Sequence, residues 1–361
     1  MSKSSKSSID TLWYTRCPVP TPLGVAARLG WIDSEFKPNG ISIRTLQDES
    51  DPKLRESHFD HHLENSFRQG GNIPAIWARS RGKDTRVVGL TWTDESQLIL
   101  TKANSPIHGV KDLKGKRLGV ATRPNDSIDF WKATTIRAYL AALATQGLSV
   151  KDVELVELPR ESRSSVGRGW GDENLSESVE ATALASGTVD VIYHKGSRAF
   201  ELADAIGARV VYDLGEHPDP KVRINNGSPR TLTVDRGLID RDLSLVVRLV
   251  KKVVLAGRWA EANRIETLHY IAQETRSSES AVLRGYGKDV HHHLHTDLSE
   301  ASIDALTDFT RFLAEWKFIP SNFDVRSWID PRPLEQALAQ IELEAATTAK
   351  GNSASAVQAN I

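Results

Sequence analysis

An open α/β architecture is the fold class this sequence predicts, and three observations predict it. Short stretches that alternate apolar and polar residues recur between segments that open on helix-capping residues, no internal repeat interrupts that rhythm, and 361 residues suffice for two domains with a substantial core. No run of eighteen apolar residues occurs, so no segment reads as a membrane-spanning helix. Lys and Arg number 46 against 47 Asp and Glu, a formal charge of -1, which leaves no whole-protein field to recruit nucleic acid or a membrane surface. A single cysteine excludes an internal disulfide framework and any zinc site needing two thiolates, so Cys17 is either an inert filler or a reactive thiol. The polar stretch Met1 to Asp10 runs directly into Leu12, Trp13 and Tyr14 with no apolar signal region, so a disordered tail over residues 1–9 and a cytoplasmic location are expected.

The elements follow in order. Thr11 to Thr15 alternates as a strand, and Cys17-Pro-Val-Pro-Thr-Pro22 must be extended, because each proline biases its predecessor away from helix. Thr21 caps a helix with Pro22 in its first turn. Ile41 to Leu46 reads as a second strand, Asn72 as the cap of a helix over Ile73 to Arg81, and Thr85 to Leu90 as a third strand. In an open sheet of this βαβ kind, ligands collect at the carboxyl ends of the strands, where Cys17 and the Gly70-Gly71 pair both fall. Gln97 to Thr101 is a further strand, followed by a helix over Trp131 to Ala144, a strand over Lys151 to Leu158, a helix over Glu177 to Ala185 and an edge strand over Arg209 to Leu214. Thr231 to Val234 returns the chain to its first half. Helices near Leu243 to Trp259, Ile265 to Glu274, Glu300 to Trp316 and Leu334 to Ala346 should then pack around that half. Residues from Thr347 onward, rich in Ala, Ser and Asn, are expected to be disordered, and Gly167-Arg-Gly-Trp-Gly171 to be a mobile surface loop.

Chemistry concentrates in His58 to Trp77. Gly70 and Gly71 would let an oxyanion approach the unpaired amides of the helix that follows, while Arg68 adds a permanently charged planar fork. That combination is an anion clamp. His58 stands at its start, with Phe59 beside it, and Phe59 and Trp131 could floor a pocket for an aromatic ligand. His61 and His62 are expected in supporting or solvent-facing positions. His291-His-His-Leu-His295 does not read as a metal site, because adjacent histidines point in different directions and no carboxylate pair accompanies them at ligand spacing. No Gly-x-Ser-x-Gly elbow occurs, and no metal or cofactor is implied.

The phrase Asp112-Leu-Lys-Gly-Lys116, with Ser186-Gly-Thr-Val-Asp190 later, resembles the two-lobed type II periplasmic-binding-protein-like fold, in its nitrate, sulfonate and taurine-binding branch. Within that superfamily Tyr14-Thr-Arg-Cys17-Pro-Val-Pro, His58-Phe59 and Phe67-Arg68-Gln-Gly70-Gly71-Asn-Ile-Pro74 resemble the desulfinase family that acts on hydroxybiphenyl sulfinate in dibenzothiophene desulfurization. The resemblance implies extra C-terminal helices and a discontinuous first lobe over residues 10–101 and 231–346. A second lobe would cover 102–230, with hinges near Thr101 and Thr231. It also implies a small anionic substrate, no cofactor, a monomer, and C–S bond hydrolysis releasing sulfite. In that reading Cys17 is the reacting thiol, His58 its partner, and Arg68 with the Gly71 amide the sulfinate clamp. The stretch Tyr193-His-Lys-Gly-Ser-Arg-Ala-Phe200 is basic where the family presents aromatic residues, so Lys195 or Arg198 could meet a second anionic group. The rival reading is a non-catalytic ABC-transporter-type binder of a sulfonate, nitrate-like or carboxylate anion.

Overall fold

Strand β1 (Thr11–Arg16) lies parallel to β2 (Ser42–Thr45) on one side and to β3 (Ser66–Gly70) on the other. On the far side of β3 the sheet continues not with the next strand in the chain but with β10 (Arg230–Asp235). β10 is inserted antiparallel between β3 and β4 (Thr85–Thr91), giving the order β2-β1-β3-β10-β4. The second sheet is built on β5 (Gln97–Lys102), flanked antiparallel by β8 (Ile192–Lys195) and β9 (Ala208–Asp213). A bridge between Leu118 and Val191 joins it to the parallel pair β6 (Arg117–Thr122) and β7 (Glu154–Pro159). This computed structural model describes residues 9–160 and 174–358, with side chains as far as Thr348. Residues 1–8 of the expected tail and the Gly167–Gly171 loop lie outside the described residues.

Two connections join the sheets, and they run side by side. One is 92–96, between β4 and β5, and the other 225–229, leading into β10. Strand β5 pairs only within the second sheet. The chain therefore changes lobe before Gln97 rather than near Thr101, and Thr231 lies inside β10 rather than at a hinge.

Local chemistry sets most of the elements. Thr21 accepts from the Gly24 amide at 3.0 Å to start the helix Pro22–Arg28, and Asp129 does the same for Phe130–Ala144 through Lys132 N at 2.9 Å. Each such cap is worth about 1 kcal/mol. The helix Pro52–Asp60, absent from the sequence reading, is capped by Asp51 and ends at His61 in a left-handed conformation. Strand β3 was also hidden, because Phe67 is the only large apolar residue in Ser-Phe-Arg-Gln-Gly. Asn72 does not cap the following helix. It is the first residue of Asn72–Ser80, and Gly71 occupies the cap position.

The C-terminal segment is corrected too, because the helix Arg332–Gln358 runs through most of the stretch expected to be disordered. Its Ala-rich composition has low side-chain entropy to lose, which makes it strongly helix-forming. Leu334, Ala337 and Ile341 on this helix join Val246, Val250 and Val253 of the Leu243–Ala262 helix in a core against Leu12, Phe67 and Leu232 of the first sheet. A second cluster runs from Ile73, Ile76 and Val87 through Phe309 of the Glu300–Glu315 helix to Phe130 and Ile136 of the second lobe. That continuous apolar packing, with Arg137 bonded to Asp308 at 2.8 Å, fixes the lobes against each other around one cleft. Among the described residues no helix is long and apolar enough to cross a membrane.

Candidate functional site

Cys17 is the residue after β1, and its position follows from strand register. Arg16 pairs with Gln69, and the Cys17 amide donates to Gln69 O at 3.0 Å, which sets Cys17 beside Gly70 at the carboxyl end of the neighbouring strand. A Cβ at Gly70 would lie 2.2 Å from Cys17 Sγ. Gly70, expected to touch the ligand, is absent from the cavity wall; its lack of a side chain makes room for the thiol.

Two nitrogens face the sulfur. Arg68 Nη2 donates to Cys17 Sγ at 3.4 Å, and His58 Nε2 lies 3.5 Å from it. Arg68 is 2% exposed; its Nε donates to His58 O at 2.9 Å and its Nη1 to Gly71 O at 2.8 Å. Among the described residues no carboxylate pairs with it, and burial lowers its affinity for its proton. Three of its five N–H groups are therefore committed and two remain for a ligand.

The hydrogen bonds behind His58 choose its tautomer. Gln47 Nε2 donates to Thr15 Oγ1 at 3.1 Å and to Arg16 O at 2.6 Å, and His58 Nδ1, 2.7 Å away, is the one acceptor among the described residues for the buried Thr15 hydroxyl proton. The ring proton then sits on Nε2, toward Cys17. Burial, with the Arg68 charge and His61 adding to it, holds His58 well below the ordinary histidine pKa, so the ring is neutral at pH 7. His61 is buried behind it, 3.3 Å from Thr233 Oγ1, with its pKa pushed down to about 3 by burial and Arg68. His62 stays near the surface on Asp60 at 2.7 Å.

The expected helix-end clamp is narrower than the sequence suggested. Asn226, which nothing in the sequence singled out, takes the Asn72 amide on its carbonyl at 2.9 Å and the Ile73 amide on its side chain at 3.0 Å. Its side chain fills the space over Gly71, where a Cβ would come within 2.6 Å. Only the Gly71 N–H, which has no acceptor among the described residues, is left at the helix start for an anion.

Cys17, His58, Arg68 and Gly71 line one cavity of about 180 Å³, and Phe59 and Trp131 complete the same wall. Phe59 stacks on Phe130 across the cleft with ring centroids 6.1 Å apart, while Trp131 meets His194 edge-on at 5.2 Å and donates to Glu180 at 3.1 Å. Lys195 and Arg198 also reach this cavity, but Lys195 is bonded to Glu95 at 2.5 Å. His291 is buried against His292, with ring centroids 3.9 Å apart, whereas His292, His293 and His295 are exposed. No group of three or more potential metal ligands occurs among the described residues.

A family profile described as NMT1/THI5 like matches residues 18–205. The 2'-hydroxybiphenyl-2-sulfinate desulfinase of Rhodococcus erythropolis is 31% identical over 91% of this chain and 94% of its own length. The chain belongs to this desulfinase family. Its fold is that of the desulfurization enzyme DSZB. A crystal structure of a cysteine-to-serine mutant of that enzyme, in complex with biphenyl-2-sulfinic acid, superposes with a TM-score of 0.73 at 26% identity, covering 92% of this chain and 100% of the other. The periplasmic aliphatic sulphonate binding protein SsuA from Escherichia coli shares the fold at 16% identity, with a TM-score of 0.64 over 90% of this chain and 92% of the other. The desulfinase family and the sulfonate receptors thus share the two-lobed, type II periplasmic-binding-protein-like scaffold seen here.

Proposed function

We propose that this protein is a cofactor-free hydrolase that cleaves the carbon–sulfur bond of an organic sulfinate and releases sulfite, with Cys17 as the reacting thiol. The observation that carries the reading is the meeting of Cys17 with Arg68 and neutral His58 on the wall of one cavity. A sulfinate has two acceptor oxygens, which suits the two uncommitted N–H groups of Arg68 together with the Gly71 amide.

Cys17 could attack sulfur as a thiolate nucleophile or deliver a proton to carbon as a thiol, and charge balance selects between these two routes. Arg68 is the one positive group at the sulfur, since His58 is neutral, and it can match one anion. A bound sulfinate beside a thiolate would set two negative charges against that single guanidinium; a sulfinate beside a protonated thiol leaves none unmatched. Cys17 therefore acts as general acid. Its proton goes to the carbon that bears sulfur, the C–S electron pair becomes the new C–H bond, and sulfur dioxide departs and takes up water as sulfite. The proton released in that hydration returns to Cys17, so one water is consumed per turnover.

Incubation with benzenesulfinate should release sulfite. Cys17→Ser should lower the rate at least ~1,000-fold with an unchanged melting temperature, as loss of an essential reacting group does. Undiminished sulfite release from that variant would remove Cys17 from the mechanism. Thermal stabilisation by sulfinates with no product from the wild type would instead make the protein a receptor.

A further inference from the structure

The cavity that meets Cys17 meets a second buried charge cluster. Glu95, in the first connection between the lobes, accepts from Lys195 Nζ at 2.5 Å and from Arg230 Nη2 at 3.2 Å. The Glu95 side chain is 1% exposed and that of Arg230 0%. Arg230 Nη1 donates to Thr93 O at 3.0 Å, while its Nε is buried without an acceptor among the described residues. Two cations share one carboxylate, so the cluster carries an excess of one positive charge. All three side chains line the cavity wall. Arg123, Arg160 and Arg198 line it as well, and the other carboxylate on the wall, Glu180, is engaged by Trp131.

Burying unmatched charge is strongly unfavourable unless an anion accompanies it. A simple sulfinate at Arg68 matches that guanidinium and leaves the excess of the Lys195–Glu95–Arg230 cluster facing the same cavity. We infer that the substrate is a sulfinocarboxylate, its sulfinate held at Arg68 and Gly71 and its carboxylate at Lys195 and Arg230. This rests on the desulfinase reading of the site. Size limits the rest of the molecule. A cavity of about 180 Å³ is little larger than the ~150 Å³ apolar cavity that accepts one benzene ring, so it takes a single ring or a short chain between the two acid groups. The stacked Phe59 and Phe130 rings, with Trp131 beside them, give that ring an apolar wall.

The test is calorimetric, on the full-length Cys17→Ser protein, so that binding is read apart from turnover. Benzenesulfinate is compared with 2-, 3- and 4-sulfinobenzoate, and with benzenesulfinate plus free acetate. At least one sulfinobenzoate should bind on the order of tenfold tighter than benzenesulfinate, the scale of one added charge-assisted contact. Lys195→Met should shrink that ratio to about two or less, and Lys195→Arg should restore it. Equal affinities for benzenesulfinate and every isomer in the Cys17→Ser protein would overturn the inference without any cluster variant. So would an equal loss for both ligand types in Lys195→Met, which marks a structural role, or a gain reproduced by acetate, which assigns the cluster to a free anion. Failure of sulfite release by the wild type sinks the desulfinase reading and leaves this comparison of affinities standing.

Discussion

The cavity has two cationic walls, and they solve the same physical problem in opposite ways. On the first, Arg68 is buried without any carboxylate; its donors go to the His58 and Gly71 carbonyls and to Cys17 Sγ. On the second, Arg230 is buried and Lys195 half-buried around the buried carboxylate of Glu95. A guanidinium held by neutral acceptors keeps its full charge for an incoming ligand, whereas two cations that share one carboxylate keep only the surplus of one for theirs. The first wall is therefore suited to gripping the reacting group, and the second to choosing what is attached to it. Position in the fold reinforces the division. The first wall hangs on adjacent strand ends of one sheet, and the second on the first interlobe connection, the start of β10 and the end of β8.

The largest expected effect sharpens that contrast. Arg68→Met should lower kcat/KM at least ~1,000-fold for benzenesulfinate and for sulfinobenzoates alike, because it removes the charge and the donors that face the leaving group. Arg68→Lys should not rescue it, since an ammonium cannot replace three fixed donor directions. A loss that depended on the substrate's second acid group would break the division between the walls.

Acid stability comes next and involves both walls. Burial keeps His58, His61 and His194 neutral in the folded state, with His61 and His194 pushed down to about 3. Below the ordinary pKa of about 6.5 the unfolded chain takes up protons that the folded chain refuses, so this stability is complete above pH 6.5 and is lost as the pH falls toward 3. Each histidine costs about 1.4 kcal/mol one pH unit below 6.5, or roughly 4 kcal/mol for three. Urea midpoints at pH 7.5 and 5.5 should differ accordingly, and His194→Gln should remove about a third of the difference. Coincident midpoints would mean that the rings are charged or hydrated.

Smaller effects fall on the first wall alone. Gly70→Ala forces a methyl group into the Cys17 sulfur, and should cost about 1–3 kcal/mol of stability along with most of the activity. Thr15→Val deletes the hydroxyl that selects the His58 tautomer while keeping the shape of the side chain. It should lower kcat roughly tenfold, with Thr15→Ser restoring it, since only the hydroxyl matters. If Ser restores nothing, Thr15 serves packing and the tautomer is set otherwise.

Much of the first wall was legible because its parts are near one another in sequence or in register. Cys17 after an alternating strand, and Arg68 followed by two glycines, carried the residue types and the spacing that the site uses. Thr15 could have been found as well, since it is two residues before Cys17 on the same face of β1, and both touch His58. The clamp was over-read, however. Asn226 lies 154 residues beyond Asn72, and no local pattern announces that it occupies the amides left open by the helix. The second wall was half legible. Lys195 stood out by its charge, but its partner Glu95 sits 100 residues earlier in a connection with no periodicity.

By itself, then, the sequence determined the βα alternation, the Thr21 cap, the lone thiol after a strand and the arginine beside a glycine pair, because each depends on contacts within a turn of helix or one pair of strands. Tertiary structure alone decided that β10 would slide between β3 and β4. That insertion carries Arg230 and Asn226 to the cavity, fixes the lobe boundary before Gln97, and turns scattered charges into two walls. The reason is that strand pairing across about 140 to 170 residues is chosen by the burial of whole faces, and a face leaves its mark on no single stretch of chain.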